Sequence, residues 1–150
     1  MKSKRFEPIQ EIAADAAAVL GRGVAEAERR LAELERQLER LRAYREEYTR
    51  ASAAKGGAVD AVSLQNYRSF LDRLGDAMRV QAQQIGVARA ECEARRAQWI
   101  SKRVEAESLS RAIDRFRRDE RQVAERREQR DGDEAAMRLA MATGGALRNR

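Results

Sequence analysis

The chain has 150 residues, about one domain by length, but 37% of them are charged, 5% are aromatic and one is proline. That is the composition of long helices and coiled coils rather than of a compact globule. With no histidine and a single cysteine, Cys92, the chain excludes His-based acid–base or triad chemistry, a Cys/His zinc site and an intrachain disulfide. Basic residues outnumber acidic ones 31 to 25, and this excess points to an acidic partner: nucleic acid, anionic lipid or an acidic protein surface.

The first residues, Met1-Lys2-Ser3-Lys4-Arg5-Phe6, are basic and carry no apolar core of a signal peptide. The longest aliphatic stretch near them, Ala16 to Leu20, falls far short of the ~20 residues a bilayer-spanning helix needs. A soluble protein is expected, and a lone thiol fits a reducing cytosol.

Apolar residues then recur in alternating steps of three and four: Phe6, Gln10, Ala13, Ala17, Leu20, Val24, Ala27, Leu31, Leu34, Leu38, Leu41, Arg45, Tyr48, with only Gln10 and Arg45 breaking the pattern. A period of 3.5 sustained over about six heptads is a coiled-coil seam. The spacing predicts a helix over about 6–50, with Pro8 in its first turn, where a missing N–H costs little. Gly21 and Gly23 are local weak points, each worth up to ~1 kcal/mol against Ala.

Residues 51–61, with Gly56-Gly57, carry no seam and are read as a loop, Asp60 or Ser63 capping the next helix. A second seam follows: Leu64, Tyr67, Leu71, Leu74, Met78, Gln81, Ile85, Ala88, Cys92, Arg95, Trp99, Lys102, Ala106, Leu109, Ile113, Phe116. It decays through Glu120, Val123 and Arg127, giving a helix over about 62–139 and a frayed tail, 140–150.

Two seams joined by a glycine loop imply an all-α fold, a single antiparallel coiled-coil hairpin over 1–150 whose longer second helix overhangs at the terminal end. Folding about Gly56/Gly57 sets Phe6 near Glu107, and Ala13 and Ala17 against Trp99 and Arg95. Everything after about Leu109 then has no partner within the hairpin.

Catalysis has little to work with. There is no phosphate-binding loop motif, the carboxylates read as solvated charges, and Cys92 occupies a seam slot suited to a small core residue. No enzyme, metal or cofactor is expected. Two surfaces stand out instead. Beside the seams run Gln37, Leu41, Tyr44, Tyr48 and Phe70, Leu74, Ala77, Gln81, both at i, i+4, i+7, i+11, setting aromatic rings on one side of a charged rod as a docking patch; the plain alternative is that the rings broaden the seam beside the turn. The terminal end is basic, with Lys2, Lys4, Arg5, Arg111, Arg115, Arg117, Arg118 and Arg121; its plain alternative is a solvated helix balanced by Asp114, Asp119 and Glu120. No aromatics interleave those arginines and no zipper-plus-basic-region layout occurs, so nucleic acid is disfavoured.

The order of the pieces resembles a known family. Arg5-Phe6 opens a long Ala/Glu/Arg helix ending Leu41-Arg42-Ala43-Tyr44-Arg45-Glu46-Glu47-Tyr48; after the loop comes Leu64-Gln65-Asn66-Tyr67-Arg68-Ser69-Phe70-Leu71-Asp72-Arg73-Leu74, then a lone Trp99 and Arg127-Glu128-Gln129-Arg130-Asp131-Gly132-Asp133-Glu134. Over nearly the whole chain this is similar to the FliJ family of flagellar type III export proteins, with the virulence-type secretion counterparts a close second. The resemblance implies a non-enzymatic stalk whose terminal end enters the pore of the hexameric export ATPase, with Lys4, Arg5, Arg111, Arg115, Arg117, Arg118 and Arg121 as contacts. It implies that Gln37, Leu41, Tyr44, Tyr48, Phe70, Leu74, Ala77 and Gln81 meet the cytoplasmic part of the membrane export gate. It further implies export chaperones as partners and a cytoplasmic location, peripheral at the inner-membrane base of the flagellum. The competing reading is a basic coiled coil that binds nucleic acid or an anionic membrane surface; a homodimeric scaffold is a third.

Overall fold

The computed structural model describes residues 1–55 and 60–148. Two helices account for nearly all of them: α1, Lys2–Ala54, and α2, Ala61–Arg148, and no strand occurs among the described residues. The glycine pair Gly56-Gly57, on which the expected register pivots, lies outside the described residues. The chain divides into two compact units, Met1–Asp15 with Arg103–Arg150, and Ala16–Lys102. Within each, a stretch of α1 packs against a stretch of α2, making the all-α hairpin.

Burial follows the seams. Among the described residues, all the buried apolar side chains (Ala13, Ala17, Val24, Ala27 and Leu38 on α1; Leu74, Ile85, Ala88, Cys92, Ala106 and Ile113 on α2) occupy expected seam positions. Lettering the heptad with Ala17, Val24 and Leu38 at a on α1 and Ile85, Cys92 and Ile113 at a on α2, the breaks are few: Arg45 and Leu64 are exposed, and Gln10 is half-buried. Small Ala on α1 lets the helices approach closely, as interdigitated packing requires.

The helix ends differ from the expected 6–50 and 62–139. Helix α1 starts at Lys2, so Pro8 lies inside it, beyond the first turn. Its missing N–H and its clash with the carbonyl four residues back are opposed there by bonds on the turn before it: Arg5 N–H reaches Met1 O at 3.4 Å, and Ser3 is clamped by Glu120. The helix continues to Ala54 because Ala51, Ala53 and Ala54 are strong helix formers that need no seam, and Lys55 N–H closes onto Ala51 O at 3.3 Å. Asp60 caps α2, its Oδ1 accepting from Ser63 N–H at 2.7 Å. The Ser63 hydroxyl and then its N–H hold the Asp60 carboxyl below its usual range. The tail expected to fray is helical through Arg148; Thr143 Oγ1 donates to Leu139 O at 2.7 Å, and Gly144 and Gly145 cost too little to end a run of Ala, Leu and Met.

Register is the main correction. Phe6 stacks on Phe116, ring centroids 5.4 Å apart, rather than meeting Glu107; Trp99 lies against Gly21 and Arg95 against Gly23, rather than against Ala13 and Ala17. Pairing therefore runs to Phe116 and Glu120 instead of ending near Leu109. The cause is a row of ion pairs between e positions: in the Ala16–Lys102 unit, Arg96 Nη2 sits 2.6 Å from Glu28 Oε1 and Arg89 Nη2 3.2 Å from Glu35 Oε1. In the other unit Arg117 Nη2 sits 2.7 Å from Glu7 Oε1. In all three pairs the two residue numbers add to 124, where pairing centred on Gly56/Gly57 would make them 113, so each of these glutamates meets an arginine eleven residues, about three turns, further along α2 than that register puts it. Charged e positions set the orientation and register of paired helices.

Candidate functional site

In the Ala16–Lys102 unit, g positions meet g positions on the side opposite the ion pairs. Tyr44 and Phe70, both at g, form an edge-to-face pair at 5.8 Å. Tyr48 lies 4.4 Å from Phe70 and stacks on Tyr67 at 5.4 Å. Offset and edge-on rings attract through their quadrupoles, so four aromatics drawn from two helices make one cluster. Leu74 beneath it is buried, Leu41, Tyr48 and Phe70 are half-buried, and Tyr44 is 52% exposed. The cluster thus does both things the spacing allowed: Leu74 and Tyr48 extend the core, while Tyr44 presents an aromatic face to solvent.

The same stripe continues in polar form. Gln81 Nε2 donates to Gln37 Oε1 at 2.9 Å and to Leu34 O at 3.0 Å, tying the two stripes where a seam slot is filled by an amide. Ala77 is exposed beside it. All eight residues of the expected docking patch lie in this unit. Tyr67, read only as a seam residue, is the member that the stripe misses: it sits at d like Leu74 and Gln81, three residues before the Phe70 at which the repeated i, i+4, i+7, i+11 pattern begins.

In the unit of Met1–Asp15 with Arg103–Arg150, the seven basic residues of the second expected surface are all exposed. They are not equivalent. Arg117 is held by Glu7, which raises its already high pKa, and Arg118 Nε reaches Asp114 O at 3.4 Å. Arg111, Arg115 and Arg118 line one concavity with Ser108 and Asp114. Arg117, Arg118 and Arg121 line a neighbouring one with Met1 and Glu120. The arrangement suits an acidic ligand, with Arg117 the least available to it.

A polar clamp in this unit was not foreseen. Ser3 is 4% exposed; its N–H donates to Glu120 Oε1 at 3.1 Å and its hydroxyl to Glu120 Oε2 at 2.6 Å. A carboxylate from α2 therefore caps the first turn of α1, where unpaired N–H groups and the helix dipole favour an anion. The Ser3 hydroxyl, then its N–H, hold the Glu120 carboxyl below its usual range. The signal was the heptad phase: Ser3 lies one step before Phe6, and Glu120 one step after Phe116. Lys2 completes the end, its Nζ 5.8 Å from the Phe116 ring centroid.

Among the described residues no group of three or more Asp, Glu or Cys is placed to hold a metal ion, and no helix is long and apolar enough to cross a membrane.

No curated protein and no solved structure matches the chain. A family model does, over residues 1–145, and its description is flagellar FliJ protein. A match over that share of 150 residues, on a hairpin whose two seams carry the core, settles the assignment: the chain belongs to the FliJ family and is a flagellar export component.

Proposed function

We propose that this chain is a non-enzymatic coupling component of the flagellar type III export apparatus, working in the cytoplasm at the membrane base of the flagellum. Its aromatic cluster docks on the cytoplasmic part of the export gate, and its basic terminal residues engage the pore of the hexameric export ATPase. Export chaperones are further partners. The observation that carries the reading is the four-ring cluster built jointly by α1 and α2, with Tyr44 half-exposed. A solvent-facing aromatic anchored by buried neighbours is what an interface hot spot requires.

The mechanism is one of differential contact. A single chain set among six equivalent subunits touches them unequally, and it biases the ring's conformations by the difference in its contacts with each state. Arginines facing an acidic pore lining supply orientation and on-rate more than affinity.

The test is Tyr44→Ala with Phe70→Ala. Gate-domain binding should fall at least about tenfold and swimming should be lost while circular dichroism keeps the helical signal; unchanged binding would overturn the docking assignment. For the ATPase surface the informative variant reverses Arg111, Arg115 and Arg118 to Glu and leaves Arg117 on Glu7. Stimulation of the ATPase should disappear, and retained stimulation would reduce those arginines to a solvated face.

A further inference from the structure

Beyond Glu120, α2 runs on without a partner: every side chain from Arg121 to Leu147 is exposed. Val123, Met137, Leu139, Met141 and Leu147 are among them, at 47–76% exposure, and from Ala135 to Leu147 Arg138 is the sole charged residue. A bare helix of this length draws most of its stability from packing, and an apolar stretch so exposed marks an interaction surface.

We propose that, when not engaged with the ATPase, two copies of this chain associate antiparallel through residues 122–142. The argument is charge complementarity in the register the hairpin itself uses, where e meets e, as in Glu35 with Arg89, and g meets g, as in Tyr44 with Phe70. Carrying the heptad forward puts Asp131 and Arg138 at e and Arg126 and Asp133 at g. Setting Asp131 opposite Arg138 of the second copy brings Arg126 opposite Asp133 of the second copy at the same stroke. In the seam, Arg130 then faces Glu134, Val123 faces Met141, and Arg127 lies beside the flexible Met137. The two-fold axis repeats each pair, as an isologous interface requires.

Neighbouring registers fail. A slip of one heptad in one direction sets Arg138 against Arg138 and Asp133 against Asp133. A slip in the other sets Asp131 against Asp131 and Arg127 against Arg130. Like charges directly opposed destabilise, which disfavours both neighbouring registers. The intrahelical Arg138–Glu134 contact, 3.9 Å and highly exposed, is too weak to hold Arg138 back.

Sedimentation of the full chain across about 1 to about 200 µM tests this, the range expected of a modest interface. A concentration-dependent monomer–dimer equilibrium is expected. Arg138→Glu and Asp131→Arg should each weaken it at least about tenfold, and the double swap Asp131→Arg with Arg138→Glu should restore it, with helicity unchanged throughout. Protein carrying Val123→Cys mixed with protein carrying Met141→Cys should form an interchain disulfide, whereas Val123→Cys alone should not. A monomer at every concentration, a dimer indifferent to the single reversals, a swap that fails to rescue, or a Val123→Cys self-crosslink would each overturn the proposal. So would a monomer that binds anionic vesicles through this segment, which would assign the face to a membrane.

Discussion

At Gly21 the helix gives up propensity for space. A Cβ there would stand 3.0 Å from Trp99 Nε1 and 3.4 Å from Trp99 Cδ1, so Gly21→Ala forces the chain's single indole to move. The ~1 kcal/mol that Ala offers a helix is set against ~1–3 kcal/mol for overpacking, and the net expected is a loss of about 1 kcal/mol with an altered Trp99 emission maximum. Gly86 has nothing within 4 Å of the same Cβ, so Gly86→Ala should stabilise by about 0.5–1 kcal/mol. Thermal melts of the two variants should move in opposite directions. The Ser3–Glu120 clamp is the other residue-scale device. Glu120's folded-state pKa lies below its usual 4.5, so the clamp's contribution is complete above that value and is lost as pH falls through the lowered one. Protection of the amides in the first turn of α1, taken against the intrinsic exchange rate at each pH, should therefore fall in acid, and Glu120→Gln should make that protection low and flat across the same range.

Among elements, the pairing of α1 with α2 owes its register to charge. Glu28 and Glu35 face Arg96 and Arg89, and Glu28 raises the pKa of the Arg96 guanidinium. Reversing Glu28 and Glu35 to Arg should lower Tm by a few degrees, and adding Arg89→Glu with Arg96→Glu should recover it; both effects should shrink in ~1 M salt, where the Debye length is about 3 Å. The seams were legible in the sequence because a 3.5-residue apolar period is a direct imprint of burial, and Ala13, Ala17, Leu74, Ile85 and Cys92 all sit where it put them. The register was not, because α1 carries glutamates on several faces: Glu28 and Glu35 differ from Glu26 and Glu33 only in standing opposite an arginine of a helix dozens of residues away. The aromatic patch was legible from the identical spacing of its two stripes. The Ser3–Glu120 clamp was not, since a polar residue in a seam slot reads as the end of the seam. Pro8 and the alanines after Arg50 misled the boundary in the same way, by local rules that a neighbouring helix and simple propensity override.

For the whole molecule, the two candidate surfaces belong to different units and share no residue: Tyr44, Tyr48, Tyr67 and Phe70 lie in one, and the arginines from Arg111 to Arg121 in the other. Substitutions far apart with no common partner act additively. A chain that only tethers two machines should therefore show independent losses. In purified two-component assays Tyr44→Ala/Phe70→Ala should abolish gate binding yet leave ATPase stimulation within about twofold of the parent. The Arg111/Arg115/Arg118→Glu variant should do the reverse. A chain that transmits state from one partner to the other behaves differently once both are present, because coupling free energy is reciprocal between sites. Adding the gate domain should then change the chain's affinity for the ATPase, and by the same factor the ATPase should change its affinity for the gate. In the Tyr44→Ala/Phe70→Ala protein that shift should vanish while the binary ATPase affinity stays intact. A parent chain whose affinity for either partner ignores the other is a tether, and the coupling role would be withdrawn.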